Sequence, residues 1–348
     1  MKIGFSFWGY CSEYYKSVVK DTPDGGRFTR KIFVKELLSR NIDVVFLQEK
    51  RDAFPLNAIE YDSAGFPKID VLFIEWRWPT WKNDKNNKNY VESKYEPDLD
   101  RQNLLLEHYY NKVPIVVWDT DLKVTEEDMK NFKNVFWCDP CFKPRSGFTS
   151  MPYFTDYYTQ LFDIKQPNRM ITYVGSNYER YWAVEKYYYN IGKNCRNNGI
   201  NIEFFGNWLT PSPERPEQDE IVRKYSEFIN FNKRNNFLEG MSILNKSICT
   251  THIIKKLYCE HQLVTPRFFE SLASNTIGFV LEELNMDLYG KEFIADENIF
   301  DKINSVANIS INDRIKIINK QRKHIQVNFP ETQVNNFVSK FLKEIGVN

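Results

Sequence analysis

Short apolar segments that alternate with helical segments are the feature that most constrains the fold of this 348-residue chain. In the first half, runs rich in Val, Ile and Phe are separated by stretches with helical periodicity. These runs lie at residues 2–7, 43–47, 70–74, 113–118 and 134–137. Continuously apolar strands separated by helices are typical of a parallel sheet covered on both faces. The sequence therefore predicts an α/β fold.

The same pattern pauses near residues 160–169 and then restarts. We expect further strands at 170–174, 200–205, 247–251 and 276–280, and helices at 180–196, 298–306, 312–327 and 331–345. The length fits two domains of ordinary size. We expect two doubly wound, Rossmann-like domains: residues 1–167 with 331–348, and residues 168–330. Ligands of such sheets bind beyond the carboxyl ends of the strands, so we expect the chemistry in a cleft between two facing domains.

Composition excludes several classes of protein. The formal net charge is +1, which gives no global electrostatic case for nucleic acid or membrane binding. A hydrophobic content of 42% with 16% aromatic residues excludes a disordered chain. The first residues show no signal-peptide pattern, and no apolar run has the length of a membrane span. We expect a soluble, cytoplasmic and monomeric protein.

The six cysteines do not predict a metal site. Only Cys138 and Cys141 have a ligand-like spacing, and no second pair or paired histidines complete a zinc set. We therefore expect free thiols in a reducing compartment.

The segment 264–275 carries a candidate nucleotide site. Thr265 is a plausible N-cap and Pro266 fits the first turn of a helix. Arg267 and Glu270 are three residues apart and share a face of that helix. An arginine near a helix N-terminus favours an anion, and a carboxylate one turn later can accept two ribose hydroxyls. The alternative is an ion pair on a solvated helix face.

Three stretches resemble a known family. They are the strand and turn GINIEFFGN at residues 199–207, the turn Tyr173-Val174-Gly175-Ser176, and the RFFE helix start with the LAS that follows. Together, and in this order, they resemble the DNA β-glucosyltransferases of T-even-type phages, which have the glycosyltransferase-B (GT-B) fold. The resemblance covers about residues 170–325.

The resemblance implies transfer of glucose from UDP-glucose, with inversion, to a hydroxymethyl group in double-stranded phage DNA. The modified base would be 5-hydroxymethylcytosine or 5-hydroxymethyluracil, and the location the cytoplasm of an infected host cell. The last helix would cross back onto the N-terminal domain. The helix arginine would hold the diphosphate and its glutamate the ribose. The implied donor-binding residues are Gly175, Ser176, Gly206, Asn207, Arg267 and Glu270.

The sequence departs from the family at two places. Two family arginines that follow the glycine–serine turn are replaced by Tyr178 and Trp182, and Arg180 between them can fill the phosphate role. The N-terminal loop carries a glutamate near the sugar in the family. Here that loop reads Asp24, Gly25, Gly26 and Arg27. A glycine loop at this place fits contact with the transferred sugar, and it fits a simple turn equally well.

Direct displacement at a sugar carbon needs a base that takes the acceptor proton. Asp119 and Asp121 follow a buried strand at its carboxyl end, where a doubly wound fold exposes catalytic groups. The local sequence of Asp121 resembles that around the family's base, and Asp119 stays open as the alternative. Such a pair can also hold a divalent ion. Because the fold usually stabilises its leaving group without one, we expect no dedicated metal site, while stimulation by Mg²⁺ or Mn²⁺ is compatible with this expectation.

Residues of the N-terminal half suggest an acceptor side. Glu75 and Arg77 alternate with tryptophans, which suits sugar or base stacking as well as core packing. A lysine–asparagine loop and an arginine of the same half are candidates for DNA phosphate contacts. These residues are Lys82, Lys85, Lys88 and Arg30. A base inside a duplex would have to flip out to present its hydroxyl.

Two other functions stay open at this point. One is a glycosyltransferase that uses a UDP-sugar with a protein, lipid or saccharide acceptor. The other is a nucleotide-sugar-binding protein without catalysis. An NAD-dependent dehydrogenase is disfavoured, because no GxGxxG follows the first strand.

Overall fold

The computed structural model describes residues 1–7, 26–47, 60–83, 96–155, 162–209, 218–233 and 235–346. These residues form two compact units. The first contains Gly26–Phe154 and the residues from Gln333 onward, and the second contains Thr155–Thr332. The predictions for Asp24, Gly25, Lys85 and Lys88 fall outside the described residues.

In the first unit, strands and helices alternate along the chain. The elements are β1 (Lys2–Ser6), α1 (Gly26–Ser39), β2 (Asp43–Phe46), β3 (Glu60–Tyr61), β4 (Val71–Glu75), α2 (Glu96–Tyr109), β5 (Ile115–Trp118), α3 (Glu126–Asn131), β6 (Val135–Asp139) and β7 (Thr149–Ser150). All strand pairs are parallel, in the order β3-β2-β1-β4-β5-β6-β7. Strands β4 and β5 are buried along their whole length, as their continuous apolar sequences predict.

The second unit repeats this architecture with different sequences. Its elements are β8 (Met170–Val174), α4 (Tyr181–Val184), α5 (Gly192–Asn197), β9 (Asn201–Phe205), α6 (Gln218–Tyr225), β10 (Ile229–Asn232), α7 (Phe237–Asn245), β11 (Cys249–Thr251), α8 (Lys256–Glu260), α9 (Pro266–Ala273), β12 (Ile277–Leu281), β13 (Ile294–Ala295), α10 (Ile299–Ala307) and α11 (Ile311–Asn328). The strands pair in parallel as β10-β9-β8 and β11-β12-β13. A backbone hydrogen bond from Ile248 N to the Met170 carbonyl, 2.8 Å long, joins β11 to β8. In sequence order this is the 3-2-1-4-5-6 arrangement of a doubly wound sheet, with its switch point between β8 and β11.

The last helix, α12 (Val334–Glu344), belongs to the first unit. Its Phe337 and Phe341 are buried and pack against Phe33 of α1, with ring centroids 5.7 and 5.9 Å apart. Phe337 also lies 4.1 Å from the Phe154 ring. The amphipathic pattern at residues 331–345 predicted this helix, and its place in the first unit is what the family resemblance implied.

The predicted helix at residues 180–196 is helical over most of its length but is not continuous. Helix α4 continues as a π-helical turn at Glu185–Tyr189, and α5 then starts at Gly192. A Cβ at Gly192 would lie 2.3 Å from the Cβ of Phe228, so the glycine leaves room for that ring. Among the described helices, none combines the length and hydropathy that crossing a bilayer requires.

Candidate donor and acceptor sites

Two glycine turns meet at the carboxyl ends of β8 and β9. A Cβ on Gly206 would lie 2.2 Å from the carbonyl oxygen of Gly175, which no side chain can tolerate. The Trp208 indole donates to that same oxygen at 2.8 Å, and Asn207 N donates to the Ser176 hydroxyl at 3.3 Å. Gly175 and Ser176 are thus held in one conformation next to the switch point of the second unit. Backbone at this position of a doubly wound sheet is where phosphates bind.

Three cations follow β8 and β11, and one of them, Arg180, contacts this turn. Arg180 donates from Nη1 to the Ser176 carbonyl at 2.7 Å. Lys255, just beyond β11, forms a 3.2 Å ion pair with Glu179. The Nζ of Lys256 lies 5.9 Å from the ring of Trp182, which stands where the resembling family has an arginine. The sequence analysis did not single out these two lysines, which follow the predicted strand at residues 247–251 by four and five residues.

Helix α9 brings Arg267 and Glu270 together. Thr265 occupies the N-cap position without a side-chain capping bond, and Pro266 occupies the first turn. Arg267 Nη1 donates to Glu270 Oε2 at 2.6 Å. Glu270 is only 2% exposed, so the pair does not lie on a solvated face. Within the described residues, Glu270 Oε1 is buried and accepts no hydrogen bond. A buried carboxylate oxygen without a donor is costly unless a ligand supplies one.

A buried polar cluster supports the start of α9. The carbonyl of Phe268 accepts hydrogen bonds from the Ser271 and Tyr289 hydroxyls, at 2.8 and 2.6 Å. His252 Nε2 lies 3.1 Å from the Ser271 hydroxyl and 3.0 Å from that of Tyr289. Burial lowers the pKa of His252 to about 3, and the nearby Arg267 acts in the same direction. The imidazole is therefore neutral at physiological pH and adds no positive charge beside Arg267.

The two candidate bases of the first unit have different environments. Asp119 is fully buried, and its carboxylate accepts hydrogen bonds from the backbone N–H groups of Lys123 and Val124 at 2.8 and 2.6 Å. Arg145 donates to it from Nη2 at 2.6 Å. Burial raises the pKa of Asp119, whereas Arg145 and the two amides act in the opposite direction. Asp119 thus holds the loop together, which argues against Asp119 as the base.

Asp121 is the accessible carboxylate of this loop. Its side chain is 35% exposed, and Oδ2 accepts a 2.6 Å bond from Nη1 of Arg77, which is 27% exposed. Arg77 follows β4 and Asp121 follows β5, so neighbouring parallel strands bring the two predicted residues together at their carboxyl ends. The geometry favours Asp121 over Asp119 for contact with an incoming hydroxyl.

Two other predicted acceptor residues form a buried pair. Arg30 and Glu75 share a two-bonded ion pair with N–O distances of 2.6 and 2.7 Å, and their side chains are 3% and 6% exposed. This burial argues against Arg30 as a DNA contact and against Glu75 as a sugar contact. Lys82 is partly exposed, with Nζ 5.5 Å from the Trp78 ring. Gly26 and Arg27 lie at the start of α1.

Arg145 is the residue of the first unit that sequence reasoning missed. It bridges Asp119, at the end of β5, and Asp139, at the end of β6, with Arg145 Nε 3.3 Å from Asp139. Two aspartates at adjacent strand ends were a signal that a cation lies between them. Cys138 and Cys141 are buried free thiols, and burial raises the pKa of Cys138 to about 12. In the described part of the chain, no group of three or more His, Cys, Asp or Glu side chains is arranged to hold a metal ion.

Two doubly wound units, with the C-terminal helix returned to the first, define the GT-B fold, and comparison with solved structures shows the same fold. An alpha-glucosyltransferase in complex with UDP and a 13-mer DNA is similar over 99% of both chains, with a TM-score of 0.63 and 11% identity. AviGT4, a glycosyltransferase involved in avilamycin A biosynthesis, is similar over 99% of this chain and 96% of its own, with a TM-score of 0.55 and 9% identity.

WaaG, a glycosyltransferase involved in lipopolysaccharide biosynthesis, covers 99% of this chain and 100% of its own, with a TM-score of 0.51 and 11% identity. No protein-family model matches the chain, and no curated protein matches it in sequence. At these identities the similarity shows the fold alone.

Proposed function

We propose that this protein transfers glucose from UDP-glucose to the hydroxymethyl group of a modified pyrimidine in double-stranded DNA, with inversion at the sugar carbon. Residues 168–330 would bind the donor, and residues 1–167 with 331–348 would bind the acceptor. The GT-B fold supports a nucleotide-sugar donor, and a solved alpha-glucosyltransferase of this fold was obtained with UDP-glucose and DNA.

The observation that carries the proposal is the buried Glu270 carboxylate with one oxygen unbonded among the described residues. A ribose diol can donate to both carboxylate oxygens, and Arg267 beside it can then turn its donors to the diphosphate. The Gly175 and Ser176 backbone, Arg180 and the turn at Gly206 and Asn207 would complete the phosphate side.

In the proposed reaction, Asp121 takes the proton of the acceptor hydroxyl as its oxygen bonds to the sugar carbon. The bond from that carbon to the diphosphate breaks at the same time, and UDP leaves with the electron pair. Arg267 and the helix N-terminus stabilise the charge that develops on the diphosphate. No metal is needed in this scheme.

UDP binding tests the donor site. We expect Arg267→Ala to weaken UDP binding about 10- to 100-fold, the range for a charge-assisted contact, with little effect on uridine. Glu270→Ala should lose the preference for UDP over 2′,3′-dideoxy-UDP. Isothermal titration of both variants against these three ligands measures this. Unchanged UDP affinity in both variants would contradict the proposed donor site.

Mass spectrometry of nucleosides tests the whole reaction. Hydroxymethylated DNA is incubated with the protein and a panel of UDP-sugars, with unmodified DNA as the control. We expect a hexose adduct only with the hydroxymethylated DNA, and NMR should show a β-linkage. Because the solved enzymes named with DNA are alpha-glucosyltransferases, an α-linked product would contradict inversion while keeping the transfer.

The main alternative is the same donor with a saccharide acceptor, since the similar structures AviGT4 and WaaG are glycosyltransferases involved in avilamycin A and lipopolysaccharide biosynthesis. If UDP-glucose were consumed when a sugar acceptor is added and no DNA is present, this alternative would be favoured. Tight UDP binding without consumption under any of these conditions would favour a protein that only binds nucleotide sugars.

A further inference from the structure

We infer that Arg77 couples DNA binding to the activity of Asp121, by exchanging this carboxylate for a DNA backbone phosphate. The inference rests on the proposed function, and it assigns Arg77 a role in discriminating DNA from water as the acceptor.

The first step of the argument is the ion pair itself. Asp121 Oδ2 and Arg77 Nη1 are 2.6 Å apart, so one carboxylate oxygen is occupied by a charged donor. While this bond is in place, Oδ2 is not available to the proton of an incoming hydroxyl, because it already accepts a hydrogen bond from the guanidinium. The base is thus restrained before an acceptor is present.

The second step is that this pair can exchange. Both side chains are partly exposed, 27% and 35%, and water screens such pairs so that they are weak. The Arg30–Glu75 pair of the same unit shows the contrast, since it is almost fully buried and has two bonds. Separating that pair would leave uncompensated buried charges, whereas Arg77 can move from one anion to another at little cost.

The third step is that the backbone around Arg77 is fixed. The side-chain amide of Gln102 accepts from Arg77 N at 3.1 Å and donates to the Trp78 carbonyl at 2.9 Å. Two residues later, Asp128 accepts from Thr80 N at 3.0 Å. These bonds hold the loop backbone in place, so the partner exchange would take place in the Arg77 side chain.

The fourth step is the chemistry of the surface that surrounds Arg77. Trp78 is partly exposed, and Lys82 lies 5.5 Å from its ring. A lysine beside an indole, with Arg77 next to that tryptophan in the chain, fits a polyanion with flat bases, because phosphates bind the cations and an unstacked base stacks on the ring. Arginine donates two parallel bonds to a phosphate, so DNA competes effectively for Arg77. Once Arg77 binds a phosphate, Asp121 is free to take a proton.

The test compares Arg77→Met with wild type in two assays on the full-length protein. The first measures release of glucose from UDP-glucose without DNA. We expect the variant to hydrolyse UDP-glucose about fivefold faster, because its base is no longer restrained by an exposed ion pair. The double variant Arg77→Met/Asp121→Asn should lose this gain.

The second assay measures transfer to hydroxymethylated duplex DNA at several salt concentrations. We expect a higher KM for DNA with kcat retained at saturation, and a slope of log KM against log salt that is smaller by about 1, as for the loss of one phosphate contact. Arg77→Lys should restore part of both effects. Arg40→Met is the matched control, because Arg40 is another partly exposed arginine of this unit paired with a carboxylate.

Unchanged hydrolysis together with an unchanged salt slope in Arg77→Met would overturn the inference. An equal fall in the hydrolysis rate and in kcat for transfer would also overturn the inference, because Arg77 would then be a residue that only orients Asp121. Absence of transfer to DNA by the wild type would refute the proposed function instead, and the hydrolysis assay distinguishes the two failures because it contains no DNA.

Discussion

Asp119 and Asp121 differ in what surrounds them although they are two residues apart. Substitution of the buried Asp119 by Asn removes the negative charge that pairs with Arg145, so we expect the free energy of unfolding to fall by about 3 kcal/mol. Asp121→Asn should change it by less than about 1 kcal/mol, because the pair with Arg77 is exposed. Transfer should instead fall at least about 100-fold, the usual contribution of a general base. Urea unfolding and transfer rates measure both effects, and full activity of Asp121→Asn would contradict its role.

His252 should make stability depend on pH. Its pKa is about 3 in the fold and about 6.5 in the unfolded chain, so the unfolded state binds more protons between these values. Stability is therefore retained above about pH 6.5 and falls as pH falls below it, by up to about 1.4 kcal/mol per pH unit. In His252→Asn this component should be absent. Urea unfolding at pH 7.5, 6 and 5 measures the difference, and parallel curves for wild type and variant would contradict the burial of a neutral histidine.

At the scale of elements, the contact between the turns after β8 and β9 is a backbone contact. Gly206→Ala would place a Cβ 2.2 Å from the Gly175 carbonyl oxygen, and backbone cannot move aside as a side chain does. We expect a loss of about 1–3 kcal/mol or more in unfolding free energy, with weaker UDP binding. Gly240→Ala in α7 is the control, because its Cβ would meet only a Val174 methyl group at 3.0 Å. If Gly206→Ala and Gly240→Ala lowered the unfolding free energy and the UDP affinity equally, the backbone contact between the two turns would not be the cause.

The sequence predicted the elements whose local pattern is complete. Strand β8 and the start of α9 agree with the predicted bounds within one residue, because an apolar run and a Pro266 at the first turn are local signals. Strand β10 was missed, because its sequence INFN alternates with asparagine and is only partly buried. The break between α4 and α5, which begins with a π-helical turn at Glu185–Tyr189, was also missed.

The residues of the candidate site also divide into those that a local pattern predicts and those whose environment depends on residues far away in the chain. Residue types and strand ends pointed to Arg267, Glu270 and Asp121, all of which follow from local sequence. Which groups are buried depends on partners that are far away along the chain. Glu75 meets Arg30 from 45 residues away, and Asp119 meets Arg145 from 26 residues away, so no local pattern separated a structural pair from an accessible one.

At the scale of the whole molecule, the C-terminal helix makes the first unit discontinuous in sequence. Helix α12 follows the entire second unit in the chain, yet its apolar face fills the aromatic core around Phe33, Trp118 and Phe154. The first unit therefore gains this part of its core only after residues 334–344 have been synthesised. A truncation before residue 333 would remove part of its core and none of the described residues of the second unit.

Because α12 packs in the core of the first unit, we expect a substitution in α12 to destabilise that unit, whereas UDP should stabilise the second unit. Phe337→Ala should destabilise the first unit by about 3–5 kcal/mol, because a fully buried ring is removed. UDP, proposed to bind the second unit, should still stabilise that unit by about 2.7 kcal/mol at 100 times its Kd. Calorimetry with and without UDP separates the transitions. Phe136→Ala is the matched control, because Phe136 of the same unit is 38% exposed and its loss should have little effect. Phe337→Ala should lower the unfolding temperature of the first unit and leave the affinity for UDP unchanged. If it also weakened UDP binding strongly, the two units would not behave as separate donor-binding and acceptor-binding units.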